Sequence, residues 1–73
     1  MDIYIRSQDK KSMCKIRSKL EAREYSYAFR IFHEWDEVGS YDTMERCVEI
    51  IDEICRIAIL SEKDFIIYNM PQE

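Results

Sequence analysis

Apolar residues recur with a helical period in only one stretch of this chain, Asp42 to Leu60. Met44, Cys47, Val48, Ile51, Ile54, Cys55 and Ala58 fall at i, i+3, i+4 and i+7 spacings, which places them on one stripe. Asp42 stands where a helix cap is needed, and Glu45 three residues later gives a capping-box spacing. Glu45, Arg46, Glu49, Asp52, Glu53 and Arg56 make the polar side. Ile50 and Ile57 widen the apolar face beyond what one small sheet covers.

Elsewhere the period is two. Residues 2–8 read as a strand with Ile3 and Ile5 on one face and Tyr4 and Arg6 on the other, followed by a turn at Asp9–Ser12. Residues 13–20 alternate again: Cys14, Ile16 and Leu20 face one way, Met13, Lys15, Arg17 and Lys19 the other. Glu21–Glu24 reads as a turn, and residues 25–35 as the longest strand. Its odd face (Tyr25, Tyr27, Phe29, Ile31, His33, Trp35) is expected to meet the helix. Asp36-Glu37 turns the chain into a short strand, Val38–Tyr41, holding the only glycine. Ser61–Asp64 is a loop, and residues 65–70 form a last strand that Pro71 closes. The expected fold is α+β in β-β-β-β-α-β order, a small antiparallel sheet with one amphipathic helix on one face. The last strand pairs with an edge of that sheet or reaches across to a second subunit.

Length bounds the fold to a single domain over residues 1–73, near the lower limit for a chain without staples. Cys47 and Cys55 lie eight helical positions apart, about 12 Å along the axis at 1.5 Å per residue, too far to bridge. All three cysteines occupy apolar-phase positions, as reduced thiols do in a cytoplasmic protein. Apolar runs are too short for a signal peptide or a membrane span. One histidine and no Cys-x-x-Cys pair argue against structural zinc. Oligomerisation is the remaining remedy for the small core, with Ile50, Ile54 and Ile57 as the expected interface.

Charge divides the chain. Residues 1–33 carry eight Lys/Arg against four acids, and residues 34–73 carry three against eleven. Such polarity suits a small anion at one end and disfavours duplex DNA. Catalytic templates find no footing: a single glycine cannot make a phosphate-cradling loop, and no nucleophile elbow is present. The helix acids Glu45, Glu49, Asp52 and Glu53 read as a solvated face, partly neutralised by Arg46 and Arg56. His33 reads as a hydrogen-bonded structural residue with no catalytic partner nearby, and Trp35 as core. Neither a catalytic residue, a metal site nor a cofactor is expected.

Three motifs stand in order: Ile5-Arg6-Ser7-Gln8-Asp9, then Val38-Gly39-Ser40-Tyr41-Asp42-Thr43-Met44-Glu45-Arg46 running on to Ile54, and finally Tyr68-Asn69-Met70-Pro71-Gln72-Glu73. Together they resemble small phage and prophage proteins of Gram-positive bacteria. They are also similar to the anti-Thoeris sponge proteins of phages, which bind a cyclic ADP-ribose isomer and keep it from the host's effector. The resemblance implies a non-enzymatic anti-defence protein in the bacterial cytoplasm that sequesters a small signalling nucleotide as a homo-oligomer, dimer or higher. Arg6, Lys15, Arg17 and Arg30 are then candidate phosphate partners, and Trp35 and Tyr68 candidate stacking faces. The basic stripe also reads as a soluble outer face or a Lys-protected edge. The alternative function is direct inhibition of a host immune protein, CRISPR-associated or other, with the acidic helix imitating nucleic-acid phosphates.

Overall fold

A computed structural model describes residues 2–73 as six strands and one helix. The strands are β1 (Asp2–Arg6), β2 (Met13–Lys15), β3 (Leu20–Tyr25), β4 (Ala28–His33), β5 (Asp36–Tyr41) and β6 (Phe65–Asn69), with α1 (Met44–Leu60) between the last two. The class is α+β, and the strands divide into two three-stranded sheets, β2-β1-β6 and β3-β4-β5. All pairs are antiparallel except β1 with β6, which is parallel. That pairing follows from chain path, because β6 returns after the helix from the same end as β1.

The chain from Met13 to Tyr25 serves both sheets and bends at residues 16–19. Ile16 N–H still donates to Ile3 C=O at 2.8 Å, so the corner stays tied to β1. The expected turn at Glu21–Glu24 is therefore strand. Its polarity misleads because Glu21 and Arg23 lie opposite Phe32 and Arg30 on the solvent face of β3-β4. The real reversals are two-residue turns. Ser26 and Tyr27 have φ of 52° and 63°, and Glu34 has φ of 58°. Neither turn contains the Gly or Asn that normally marks such a backbone, so residues 25–35 looked continuous. Trp35, expected in the core, sits on the second turn with 91% of its surface exposed.

The helix is capped by Thr43, not Asp42: Thr43 Oγ1 accepts from Arg46 N–H at 3.1 Å. It turns Cys47, Ile50 and Ile54 inward, with Met44, Ile51 and Ile57 partly buried beside them. Val48 and Cys55, from the expected inner stripe, are exposed. The assignment of Ile50 and Ile54 to an oligomer interface is thus corrected. Ile50 is fully buried and Ile54 nearly so within a single chain, where the helix packs chiefly on β3-β4-β5. They join Ile5, Ile31, Val38, Tyr41, Tyr68 and Met70 in the core. Each such aliphatic side chain contributes about 1.5–3 kcal/mol on burial.

Candidate ligand-binding site

The Gln8 side chain is one of the links between the sheets. Gln8 Oε1 accepts from Ser40 N–H at 2.8 Å, and Gln8 Nε2 donates to Ser40 C=O at 3.0 Å and Gln72 C=O at 2.9 Å. Its backbone N–H donates to Val38 C=O, and Gln72 Nε2 returns a bond to Gln8 C=O. The Gln8 amide thus pairs with Ser40 as another strand would. Nearby, Tyr41 hydroxyl donates to Pro71 C=O at 2.8 Å and Arg46 Nε to Glu73 C=O at 2.9 Å. The three segments Ile5–Asp9, Val38–Arg46 and Tyr68–Glu73 meet here. Gly39 is required by close approach, since a Cβ at that position would lie 2.7 Å from Tyr41 Cε2.

Just beyond Gln8 the β1-β2 loop is held from within. Ser7 hydroxyl donates to Asp9 Oδ1 at 2.6 Å, and the same oxygen accepts from Lys11 N–H at 2.9 Å. These bonds hold the Asp9 carboxyl below the usual carboxylate range, the Ser7 contact foremost. Ser12 N–H donates back to Ser7 Oγ, and Lys10 takes a left-handed φ of 64°. The loop so folded places Arg6, Lys10 and Lys11 around a cavity of about 610 Å³, with Ser12, Met13, Ile67 and Asn69 completing its wall. Arg6 Nη2 donates to Lys10 C=O at 3.2 Å, which aims the guanidinium along the loop. None of the three cations forms an ion pair among the described residues. Asp9 is occupied inside the loop.

The other sequence-predicted residues are scattered. Lys15 shares the outer face of β2-β1-β6 with Arg6 but pairs with Asp2 at 3.2 Å. Arg17 lies at the corner, exposed. Arg30 is on the outer face of β3-β4-β5, bound to Glu37, to Tyr25 C=O and over the Tyr25 ring. Trp35 tips the β4-β5 turn. Tyr68 points inward, 7% exposed, so it offers no stacking face. Its hydroxyl is buried without a hydrogen-bond partner. Burial, then the nearby Glu53 carboxylate, push its pKa up to about 12. Lys10 and Lys11, expected only as turn residues, line the notch, and two lysines four and five positions after Arg6 are the signal for it in the sequence.

His33 has a partner that spacing could not reveal. The ring is 3% exposed, its Nε2 accepts from Arg17 N–H at 3.1 Å, and its Nδ1 lies 3.7 Å from Cys14 Sγ. With Nε2 accepting, the proton of the neutral ring sits on Nδ1 and faces sulfur. The imidazole therefore donates toward Cys14 and has no lone pair to take the thiol proton. Burial, with Asp36 and Glu34 in support, pushes the Cys14 thiol pKa up. The pair is structural. No group of three or more metal-ligating side chains occurs among the described residues, and no helix is long and apolar enough to cross a membrane.

Compared with protein-family models, curated proteins and solved structures, the chain matches none.

Proposed function

We propose that this chain is a non-enzymatic binding protein that holds a small phosphorylated ligand at the Arg6–Lys10–Lys11 notch. The carrying observation is that three cations with no ion-pair partner among the described residues converge on one cavity beside an internally satisfied acid. Arg6 offers bidentate contacts to a phosphate, and the lysines add mobile point charges. Taken with the motif resemblance, the ligand class is a cyclic nucleotide or ADP-ribose isomer. The trade is then phage anti-defence: sequestration of an immune signal in the bacterial cytoplasm.

Magnitudes favour a homo-oligomer. Three solvent-exposed charge contacts supply about 1 kcal/mol each, roughly 3 kcal/mol together. A micromolar complex needs about 8 kcal/mol. Tight capture therefore calls for groups from a second copy.

A thermal-shift screen against cyclic nucleotides and ADP-ribose isomers tests the reading. Saturable stabilisation that Arg6→Ala/Lys10→Ala abolishes is expected, with ligand recovered unchanged. No shift with any member, or a shift untouched by the substitutions, removes it. The competing function, docking of the exposed helix acids Glu45, Glu49, Asp52 and Glu53 on a basic immune protein, instead expects salt-sensitive capture of one protein that charge reversal at Glu49 and Glu53 weakens.

A further inference from the structure

The outer edge of β6 is open. Asp2 N–H donates to Asp64 C=O and Met70 N–H to Arg6 C=O, which fixes the even residues of β6 as those bonded to β1. The backbone groups of Phe65, Ile67 and Asn69 accordingly point away from the sheet. Among the described residues none of them has a backbone partner outside that ladder. The side chains of these residues are exposed too, Phe65 by 57% and Ile67 by 47%. From Phe65 to Met70 there is neither charge nor proline to blunt the edge. An unprotected apolar edge of this kind is covered in a working protein.

We propose that the cover is β6 of a second copy, paired antiparallel about a two-fold axis at Ile67. The edge is complementary to itself. Ile67 faces Ile67 of the second copy, and Phe65 faces Asn69, so all three outward-pointing residues find partners in about six backbone hydrogen bonds. Centring the axis on any neighbouring residue loses some of them. Charges agree with this register: no ionic group lies within the seam, and Lys63 of each copy comes alongside the Pro71–Glu73 end of the other. A groove of about 720 Å³ runs beside the strand, with Ile57, Phe65, Ile66 and Ile67 as its apolar part and the Ser61–Asp64 loop as its polar end. The contact covers on the order of 500 Å² per copy, below the ~800 Å² of standard interfaces, which points to a micromolar dimer rather than an obligate one.

The pairing also extends the binding notch, a consequence that rests on the function proposed above while the seam itself does not. Arg6 lies beside Asn69 on the outer face. Asn69 faces Phe65 of the second copy, so the row across the seam runs Arg6, Asn69, Phe65. An aromatic ring thereby stands roughly 10 Å from the guanidinium, two strand spacings away. That separation suits a ligand with a phosphate at one end and a base at the other.

Sedimentation velocity from low micromolar to sub-millimolar concentration tests the seam. The expected mass doubles from 8.9 kDa for the native protein, while Ile67→Lys stays at the single mass. Val48→Lys, a comparable exposed position on α1, should dimerise like the native chain. Hydrogen exchange of the native protein gives a second reading that needs no variant. The Phe65, Ile67 and Asn69 amides should slow at least tenfold as concentration rises, with Ile66 and Tyr68 unchanged. A native chain of single mass throughout, or doubling by Ile67→Lys, overturns the proposal. With dimerisation intact, Phe65→Ala should weaken ADP-ribose-isomer binding about tenfold, and unchanged affinity overturns the ring's role. A dimer that binds no nucleotide supports the seam and refutes the function.

Discussion

Replacing Gly39 by alanine should destabilise the protein, although the same change in most strands would help. Its φ is not positive, so the backbone itself accepts a side chain. Alanine in a strand interior ordinarily gains about 0.5–1 kcal/mol over glycine. Here the new methyl would lie 2.7 Å from Tyr41 Cε2, 2.8 Å from its hydroxyl oxygen and 3.0 Å from Cζ. Ordinary contact needs about 3.5–4.0 Å, so the ring must retreat by roughly 1 Å. Retreat is resisted because the ring is 5% exposed and its hydroxyl is bonded to Pro71 C=O. Overpacking costs about 1–3 kcal/mol and the lost hydrogen bond about 1 kcal/mol. The net is a loss of about 2 kcal/mol, or roughly 10 °C in Tm for a domain this small. Urea and thermal unfolding followed by far-ultraviolet circular dichroism measure it, since exposed Trp35 reports little by fluorescence. In a Tyr41→Val background the ring is gone and Gly39→Ala should be neutral or slightly stabilising. Equal stability of Gly39→Ala and the native chain, or equal cost in both backgrounds, would refute the reasoning.

Gln8→Ala should cost about 2–3 kcal/mol by urea unfolding, because it strips the bonds to Ser40 and Gln72 and strands a half-buried N–H. Ile50→Ala should cost about 2–5 kcal/mol and Val48→Ala under about 0.5 kcal/mol, and reversal of that order would place the helix in the wrong rotation. Burial raises Tyr41 and Tyr68 to about 12 in the folded chain, against ~10 when unfolded. Folded-state pKa values above the unfolded ones give stability that is complete below pH ~10 and lost as pH climbs toward 12, about 2 kcal/mol per tyrosine. Phenolate absorbance should then show two of the five tyrosines titrating late, and a single transition near pH ~10 in folded protein would contradict it.

How much of this was legible depended on whether a feature is local. The helix, β1, β6 and the α+β class announce themselves through periodicity, which is a property of neighbours in sequence. The turns at Ser26-Tyr27 and Glu34-Trp35 did not, because residues without turn chemistry carry the positive φ there and their aromatic side chains prolonged the alternation. The inner face of α1 follows the expected stripe at most positions. Met44, Cys47, Ile51, Ile54 and Ala58 of the expected stripe do turn inward, but packing on the sheet takes Ile50 into the core and leaves Val48 and Cys55 exposed. Gln8 carries no hydrophobic signal at all, yet it joins segments 32 and 64 residues away. Of the six ligand-binding residues expected from sequence, only Arg6 lies at the notch. Local charge marked the amino-terminal half as basic, but only tertiary structure shows that Lys15, Lys19, Arg23 and Arg30 spend their charge on Asp2, Glu21 and Glu37.

Equilibrium dialysis of the native protein against ADP-ribose isomers, with mass spectrometry of the retained ligand, bears most directly on whether this chain captures a nucleotide and leaves it intact. Retention of an unaltered phosphorylated ligand, lost in Arg6→Ala/Lys10→Ala, is the expected result. Equal concentrations on both sides of the membrane, or recovery of a cleaved product, would contradict it.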